Sequence, residues 1–168
     1  VLKNGKLLSS RGEINVQGVG DMGCAPDMLP VDSFIGFDRL EKLWQCEIPK
    51  EKGKNIIEAF LISPVKAAFI SSLNPAQSLP NLTEVHRNLK DIFLVCLDSY
   101  HNLTAEFANV ILPTPILIER TGTITNGERR VRFVRKVVEP LGSSKPEWLI
   151  FKELSSLFWK ENHFGFNS

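Results

Sequence analysis

The sequence predicts an α/β fold of three layers, with helices on both faces of a mainly parallel sheet. Ala67–Ser71 and Ile92–Leu97 are uninterrupted apolar runs of strand length, the pattern of strands covered on both faces. Two segments of helical character, Leu82–Leu89 and Thr104–Ala108, separate these runs from each other and from a third short apolar stretch, Val110–Leu112, stopped by Pro113. A β-α-β-α-β order of this kind implies parallel pairing through right-handed crossovers. The sheet is therefore expected to be Rossmann-like, with ligands bound outside the carboxyl ends of its strands.

Taken in order, Val1–Ser10 reads as a short entry with a turn at Asn4-Gly5. Gly18, Gly20 and Gly23 then satisfy GxGxxG. A dinucleotide fingerprint needs a helix opening at its last glycine, and Pro26 and Pro30 would break the first two turns of such a helix. The glycines instead suggest a loop whose backbone approaches a ligand closely. Asp32–Gln45 has the spacing of a helix, with Phe34, Phe37, Leu40 and Trp44 as its apolar stripe. Lys50–Lys54 is a polar connection, and Asn55–Leu61 a short helix before Pro64. A loop at Ser72-Leu73-Asn74-Pro75 leads to the helix near Leu82, with Asn81 or Thr83 placed to cap it.

After the third strand, Thr123-Ile124-Thr125 favours extended backbone, and Asn126-Gly127 is a dipeptide suited to a tight turn. Val131 and Phe133 then alternate with Arg130 and Arg132, giving a strand with one greasy and one cationic face. Pro146 opens a last helix, on one side of which fall Trp148, Phe151, Leu154 or Ser155, and Phe158. The expected organisation is an entry segment and glycine-containing loop over residues 1–31, an α/β domain over 32–158 and a tail over 159–168.

The chain has 168 residues, 43% hydrophobic and 23% charged, with a net charge of +1. These values fit one ordinary globular domain and argue against a general nucleic-acid binder. No apolar run is long enough to span a bilayer, and no secretory signal opens the chain, so a cytoplasmic location is expected. Cys24, Cys46 and Cys96 are widely spaced, as are His86, His101 and His163, so neither a zinc nor an iron–sulfur site can be assembled from this segment. Asn81-Leu82-Thr83 and Asn102-Leu103-Thr104 match the N-glycosylation pattern, with no expectation that either is used.

Charge is concentrated in one place. Glu119–Pro140 holds six of the twenty Lys and Arg residues against three carboxylates. A solvated charged hairpin would explain this, and so would a hairpin beside a polyanion, where Arg supplies planar donors to phosphate. At the expected carboxyl ends of the strands lie Ser71, Ser72 and Asn74, then Asp98 and Ser99, then Thr114. Such side chains can cap helices or meet a ligand.

The same stretch carries a family pattern: Glu119, Gly122-Thr123, Thr125-Asn126, Glu128-Arg129-Arg130-Val131, Val138-Glu139-Pro140, Gly142 and Pro146-Glu147-Trp148. Thr104-Ala105 and Asn109-Val110-Ile111-Leu112-Pro113 precede it, and Asn15, Gln17, Gly18, Asp21, Met22, Gly23, Pro26 and Pro30 extend it upstream. In these residues the chain resembles the molybdopterin oxidoreductases, formate dehydrogenases especially, from about Arg11 to about Phe158. Val31 stands where a glycine is usual, and Glu147 where Asp is usual.

The resemblance implies a domain that cradles a molybdopterin guanine dinucleotide on molybdenum or tungsten, shared with other parts of a larger enzyme. By motif position, Asn74, Asp98, Arg120 and Glu147 are implied to touch the dinucleotide, together with Gln17, Gly18, Met22 and Gly23 from the upstream loop. Arg11 is implied to be the catalytic arginine that grips formate. An iron–sulfur cluster and the metal ligand are expected elsewhere in the parent, and the partners are its remaining domains or subunits and an electron-transfer partner. The segment alone is expected to be inactive. A second reading is a non-catalytic scaffold of the same superfamily, like the large iron–sulfur subunit of respiratory NADH dehydrogenase.

Overall fold

A computed structural model describes residues 12–30 and 36–158. They form two compact units. One comprises the residues up to Ile56 together with Gly122–Val134, and the other Ile57–Thr121 together with the residues from Arg135 onward.

The second unit contains the sheet. Strands β1 (Ala67–Ser71), β2 (Phe93–Asp98) and β3 (Val110–Pro113) pair in the order β1-β2-β3, and both pairings are parallel. The expected α/β architecture with a parallel sheet is what the chain adopts, each strand within one residue of its expected limits. β2 is the central strand, and Leu94, Val95, Cys96 and Leu97 are all buried on it. Its continuous apolar run from Leu94 to Leu97 follows from this, since there neither face meets water.

Helices lie on both faces, one of them only partly covered, with Phe69 and Phe93 half exposed there. Side chains alternate across a strand, so Phe69 and Ile70 of β1 point to opposite sides. Ile70 joins Leu94 in a core with Phe60, Ala76, Val85, Leu89 and Ile92. Val85 and Leu89 come from a helix over Leu82–Lys90, and Phe60 from a π-helical turn over Glu58–Ile62. Each such side chain, fully buried, stabilises the fold by about 1.5–3 kcal/mol. Between them Asn88 is also buried, and its Nδ2 donates to the Phe60 carbonyl at 2.7 Å. On the other face, the Phe69 ring lies 5.6 Å from that of Phe151, which belongs to the last helix, Glu147–Phe158.

Local details differ from the sequence reading where backbone geometry competes with propensity. Asn81 precedes its helix in the left-handed region (φ 53°) and gives no side-chain cap, so the expected Asn81 cap is not made. Pro75–Ser78 forms an additional short helix. The segment after β2 is a 3₁₀ helix over Leu103–Phe107, and the Asn102 side chain caps it by accepting from Ala105 N. On the last helix Ser155 is buried, whereas Trp148 and Phe158 are exposed.

In the first unit, α1 spans Val16–Asp21 and α2 Phe37–Trp44. The expected helix from Asp32 is thus observed from Phe37, and Val31 and Phe34 lie outside the described residues. Strands β4 (Gly122–Thr125) and β5 (Val131–Val134) form an antiparallel hairpin. Its connection is longer than an Asn-Gly turn. Thr125 pairs with Val131, and the Asn126 side chain accepts from the N–H groups of Glu128 and Arg130. Positive φ falls on Arg129, not Gly127.

Candidate functional site

The carboxyl edge of the parallel sheet gathers polar groups because each strand ends in one or directly before one. β1 ends at Ser71, β2 at Asp98 and β3 at Pro113, just before the buried Thr114. Thr114 N donates to the Asp98 carbonyl at 3.0 Å, continuing the ladder by one bond. Ser99 Oγ and Thr114 Oγ1 lie 3.5 Å apart. Ser72 turns the chain out of β1 with positive φ.

Asn74 is used by the fold. Its Oδ1 accepts from both Thr104 N (3.1 Å) and Thr104 Oγ1 (2.7 Å), and its Nδ2 donates to Gln77. Both lone pairs of the amide oxygen are then occupied, leaving one N–H to offer. Thr104 is wholly buried and also accepts from Ala76 N. At the second glycosylation pattern the Thr104 hydroxyl is buried and the Asn102 amide is engaged by Asp98 and Ala105.

Asp98 is less committed. Oδ1 accepts from Tyr100 N at 3.1 Å and Oδ2 from Asn102 Nδ2 at 2.7 Å. A carboxylate has about four acceptor positions, so each oxygen keeps one. Burial of Cys96, reinforced by the Asp98 carboxylate, holds that thiol above its ordinary pKa.

Glu147 opens the last helix, where a carboxylate is favoured by the exposed N–H groups of the first turn. Arg120, which follows the short 3₁₀ segment Leu117–Glu119, places Nη1 3.1 Å from Glu147 Oε1 and 2.8 Å from Oε2. Ser71 Oγ donates to Oε1 at 3.5 Å, the far limit of a hydrogen bond. Arg120 is set in place by its neighbour. Glu119 is buried and its Oε2 accepts from Ile116 N, closing the turn on itself. Arg120 meets Glu147 through one nitrogen only, so its other N–H donors are available among the described residues.

The upstream candidates sit in the first unit, where Gln17 and Gly18 are helical and Met22 and Gly23 lie in the turn that follows. Gln17 and Gly18 lie within α1, held by Val19 N donating to the Asn15 carbonyl and Met22 N to that of Gly18. Gln17 is buried, and its Nε2 donates to Asp21 Oδ1 at 2.7 Å. Asn15 Oδ1 accepts from Thr125 N, fastening α1 to β4. A Cβ on Gly18 would collide with the Asn15 side chain, and one on Gly23 (φ 75°) with Pro30 N. Both glycines are therefore required by the chain's own packing. Met22 is exposed. Arg11 lies outside the described residues.

The structure thus joins Arg120 to Glu147, ties Asn74 across to Thr104 in the crossover after β2, and ties Asp98 to Tyr100 and Asn102 of that same crossover. Asn102 and Thr104 escaped the sequence reading as site neighbours. The signal for Asn102 was its position four residues after Asp98 and directly before a helical segment.

A family model, molybdopterin oxidoreductase, matches residues 6–157. The chain belongs to the molybdopterin oxidoreductase family. It is 35% identical over 162 residues to the F420-dependent formate dehydrogenase subunit alpha of Methanocaldococcus jannaschii, covering 94% of this chain and 24% of that protein. Against the probable oxidoreductase YjgC of Bacillus subtilis the identity is 36% over 154 residues, 87% of this chain and 16% of the relative. A nitrate reductase of Symbiobacterium thermophilum matches at 43% over 91 residues, 54% of this chain and 12% of the relative. The chain therefore spans a quarter or less of these curated relatives. Acetylene hydratase from Pelobacter acetylenicus shares the fold, with a TM-score of 0.57 and 22% identity over 90% of this chain and 20% of that one. Family membership implies a molybdenum or tungsten pterin cofactor. No helix among the described residues is long and apolar enough to cross a membrane.

Proposed function

We propose that this chain is the dinucleotide-cradling part of a molybdopterin-dependent formate dehydrogenase, and that the dinucleotide base is guanine. The observation that carries the reading is the acceptor capacity of Asp98, whose two oxygens each keep a free position beside their bonds to Tyr100 N and Asn102 Nδ2. Guanine presents adjacent N1–H and exocyclic N–H donors, which suit a carboxylate, whereas adenine presents an acceptor at N1.

The donor set fits the rest of such a cofactor. Arg120 has N–H groups beyond those on Glu147 and can meet a phosphate oxygen with a charge-assisted bond. Glu147 offers a second carboxylate, and Ser71 a hydroxyl. Asn74 contributes one remaining amide N–H at most. Gln17, Gly18, Met22 and Gly23 are assigned to the pterin side on motif position alone. When bound, the pterin-held metal supplies the redox chemistry by which formate gives two electrons and a proton and becomes carbon dioxide.

Within that reaction Arg11 has a positioning task. Its guanidinium would grip both formate oxygens and aim the C–H bond, remaining charged at any working pH. The grip must not bind the anion too tightly, since the negative charge is lost as carbon dioxide forms and uniform binding does not speed the reaction.

Formate as substrate rests on relatives named formate dehydrogenase that span 94% of the chain, against a nitrate reductase matched over 54%. The test is to purify the complete enzyme, identify the nucleotide released from its cofactor, and assay formate-dependent reduction of an artificial electron acceptor. Guanine nucleotide with formate oxidation is expected. Nitrate reduction without formate oxidation would overturn the substrate, and a nucleotide other than guanine would overturn the base.

A further inference from the structure

We infer that Asn102 is a positioning residue for base recognition, holding the Asp98 carboxylate in the orientation that selects guanine. This rests on the reading of Asp98 given above. Asn102 bridges two requirements with one amide. Its Oδ1 accepts from Ala105 N at 3.1 Å, capping the 3₁₀ helix Leu103–Phe107, while its Nδ2 donates to Asp98 Oδ2 at 2.7 Å. The amide cannot be reversed. The opposite orientation would set an NH₂ against the Ala105 N–H and a carbonyl oxygen against a carboxylate, both repulsive. The cap therefore dictates which end of Asn102 faces Asp98.

The 3₁₀ helix is itself anchored. Thr104, at its second residue, is fully buried between Asn74 Oδ1 and Ala76 N. Asn102 thus stands on a fixed platform, and Asp98 Oδ1 is fixed by Tyr100 N at 3.1 Å. With one acceptor position of each oxygen filled from the chain, the carboxylate can rotate little, and each oxygen keeps one position for a donor. Two such positions can meet the two adjacent donors of guanine, where a base with one donor fills only one.

The test uses the complete enzyme prepared without its cofactor, titrated with GDP and with IDP, whose base lacks the exocyclic amine. Asn102→Asp keeps the capping oxygen, and Asp is as good an N-cap as Asn, but it turns the donor facing Asp98 into a like charge. GDP affinity is expected to fall by about tenfold or more, as for loss of a hydrogen bond to a charged group. The preference for GDP over IDP is expected to collapse toward one while the melting temperature holds. Asn102→Ser, which retains an acceptor but is too short to reach Asp98, should act in the same direction and decides the matter if Asn102→Asp does not fold. Asp98→Asn is the control for the underlying reading. Should Asp98→Asn retain the GDP preference, the assignment of Asp98 fails. Should it lose that preference while the Asn102 variants keep it, Asn102 is only a helix cap and the inference is overturned.

Discussion

Arg120 and Glu147, 27 positions apart in the chain, meet through a single guanidinium nitrogen that lies between both carboxylate oxygens, 3.1 and 2.8 Å away. The two side chains keep 35% and 21% of their exposure, so this is a partly solvated pair, and such pairs contribute only about 0.2–1 kcal/mol. Its importance lies in what each partner still offers. The guanidinium retains further donors and the carboxylate retains acceptor positions, at the edge where an α/β sheet binds its ligands.

Arg120→Ala is therefore expected to leave the denaturation midpoint nearly unchanged and to lower bound pterin dinucleotide in the complete enzyme. Arg120→Lys, which keeps charge without the planar array of donors, should recover part of that content. Full cofactor content in Arg120→Ala would remove Arg120 from the site.

Asn88 tests the packing beneath the sheet. Its Nδ2 bond satisfies the Phe60 carbonyl in a buried position. Asn88→Leu leaves that oxygen without a donor and should cost about 1–3 kcal/mol in urea denaturation. A neutral substitution would mean that the π-helical turn relaxes to find another partner.

Cys96 carries the pH prediction. Burial first, and the Asp98 carboxylate second, raise its thiol pKa in the folded state. The folded chain then keeps a proton that the unfolded chain has lost. The stabilisation is complete below the ordinary thiol pKa of about 8.5 and declines as pH rises through the folded value. Stability should fall as pH rises above the ordinary thiol pKa by more than it does in Cys96→Ala. In the native state, iodoacetamide should modify the exposed Cys24 and Cys46 and spare the buried Cys96. Equal labelling of all three would contradict this core.

The parallel sheet was legible because its strands are apolar on both faces, a pattern that depends only on local residues. α1 was not. Its glycines have low helix propensity, and what holds it is Asn15 bonding to Thr125, 110 positions away. The hairpin was legible as two strands. Its connection was misjudged because the Asn126 side chain replaces a two-residue turn with a wider one, in which Arg129 takes the left-handed conformation. At the site, Asp98, Arg120 and Glu147 were visible as motif positions, whereas the contact between Arg120 and Glu147 needed the fold. Asn74 reads from sequence like a ligand residue, yet most of its hydrogen-bonding capacity goes to Thr104 and Gln77.

Arg11→Lys in the complete enzyme separates substrate positioning from cofactor binding. It keeps the charge and removes the fork, so formate turnover should drop sharply with metal and pterin content unchanged. Activity lost only in proportion to cofactor would place Arg11 on a phosphate instead.

The central claim, that the carboxyl edge of this sheet holds a guanine dinucleotide, is tested most directly by cofactor content. Asp98→Ala and Glu147→Ala are made separately in the complete enzyme, and bound guanine dinucleotide is measured per protein in each. At least one of the two variants should lose most of it while remaining folded. Undiminished guanine dinucleotide in both would contradict the assignment.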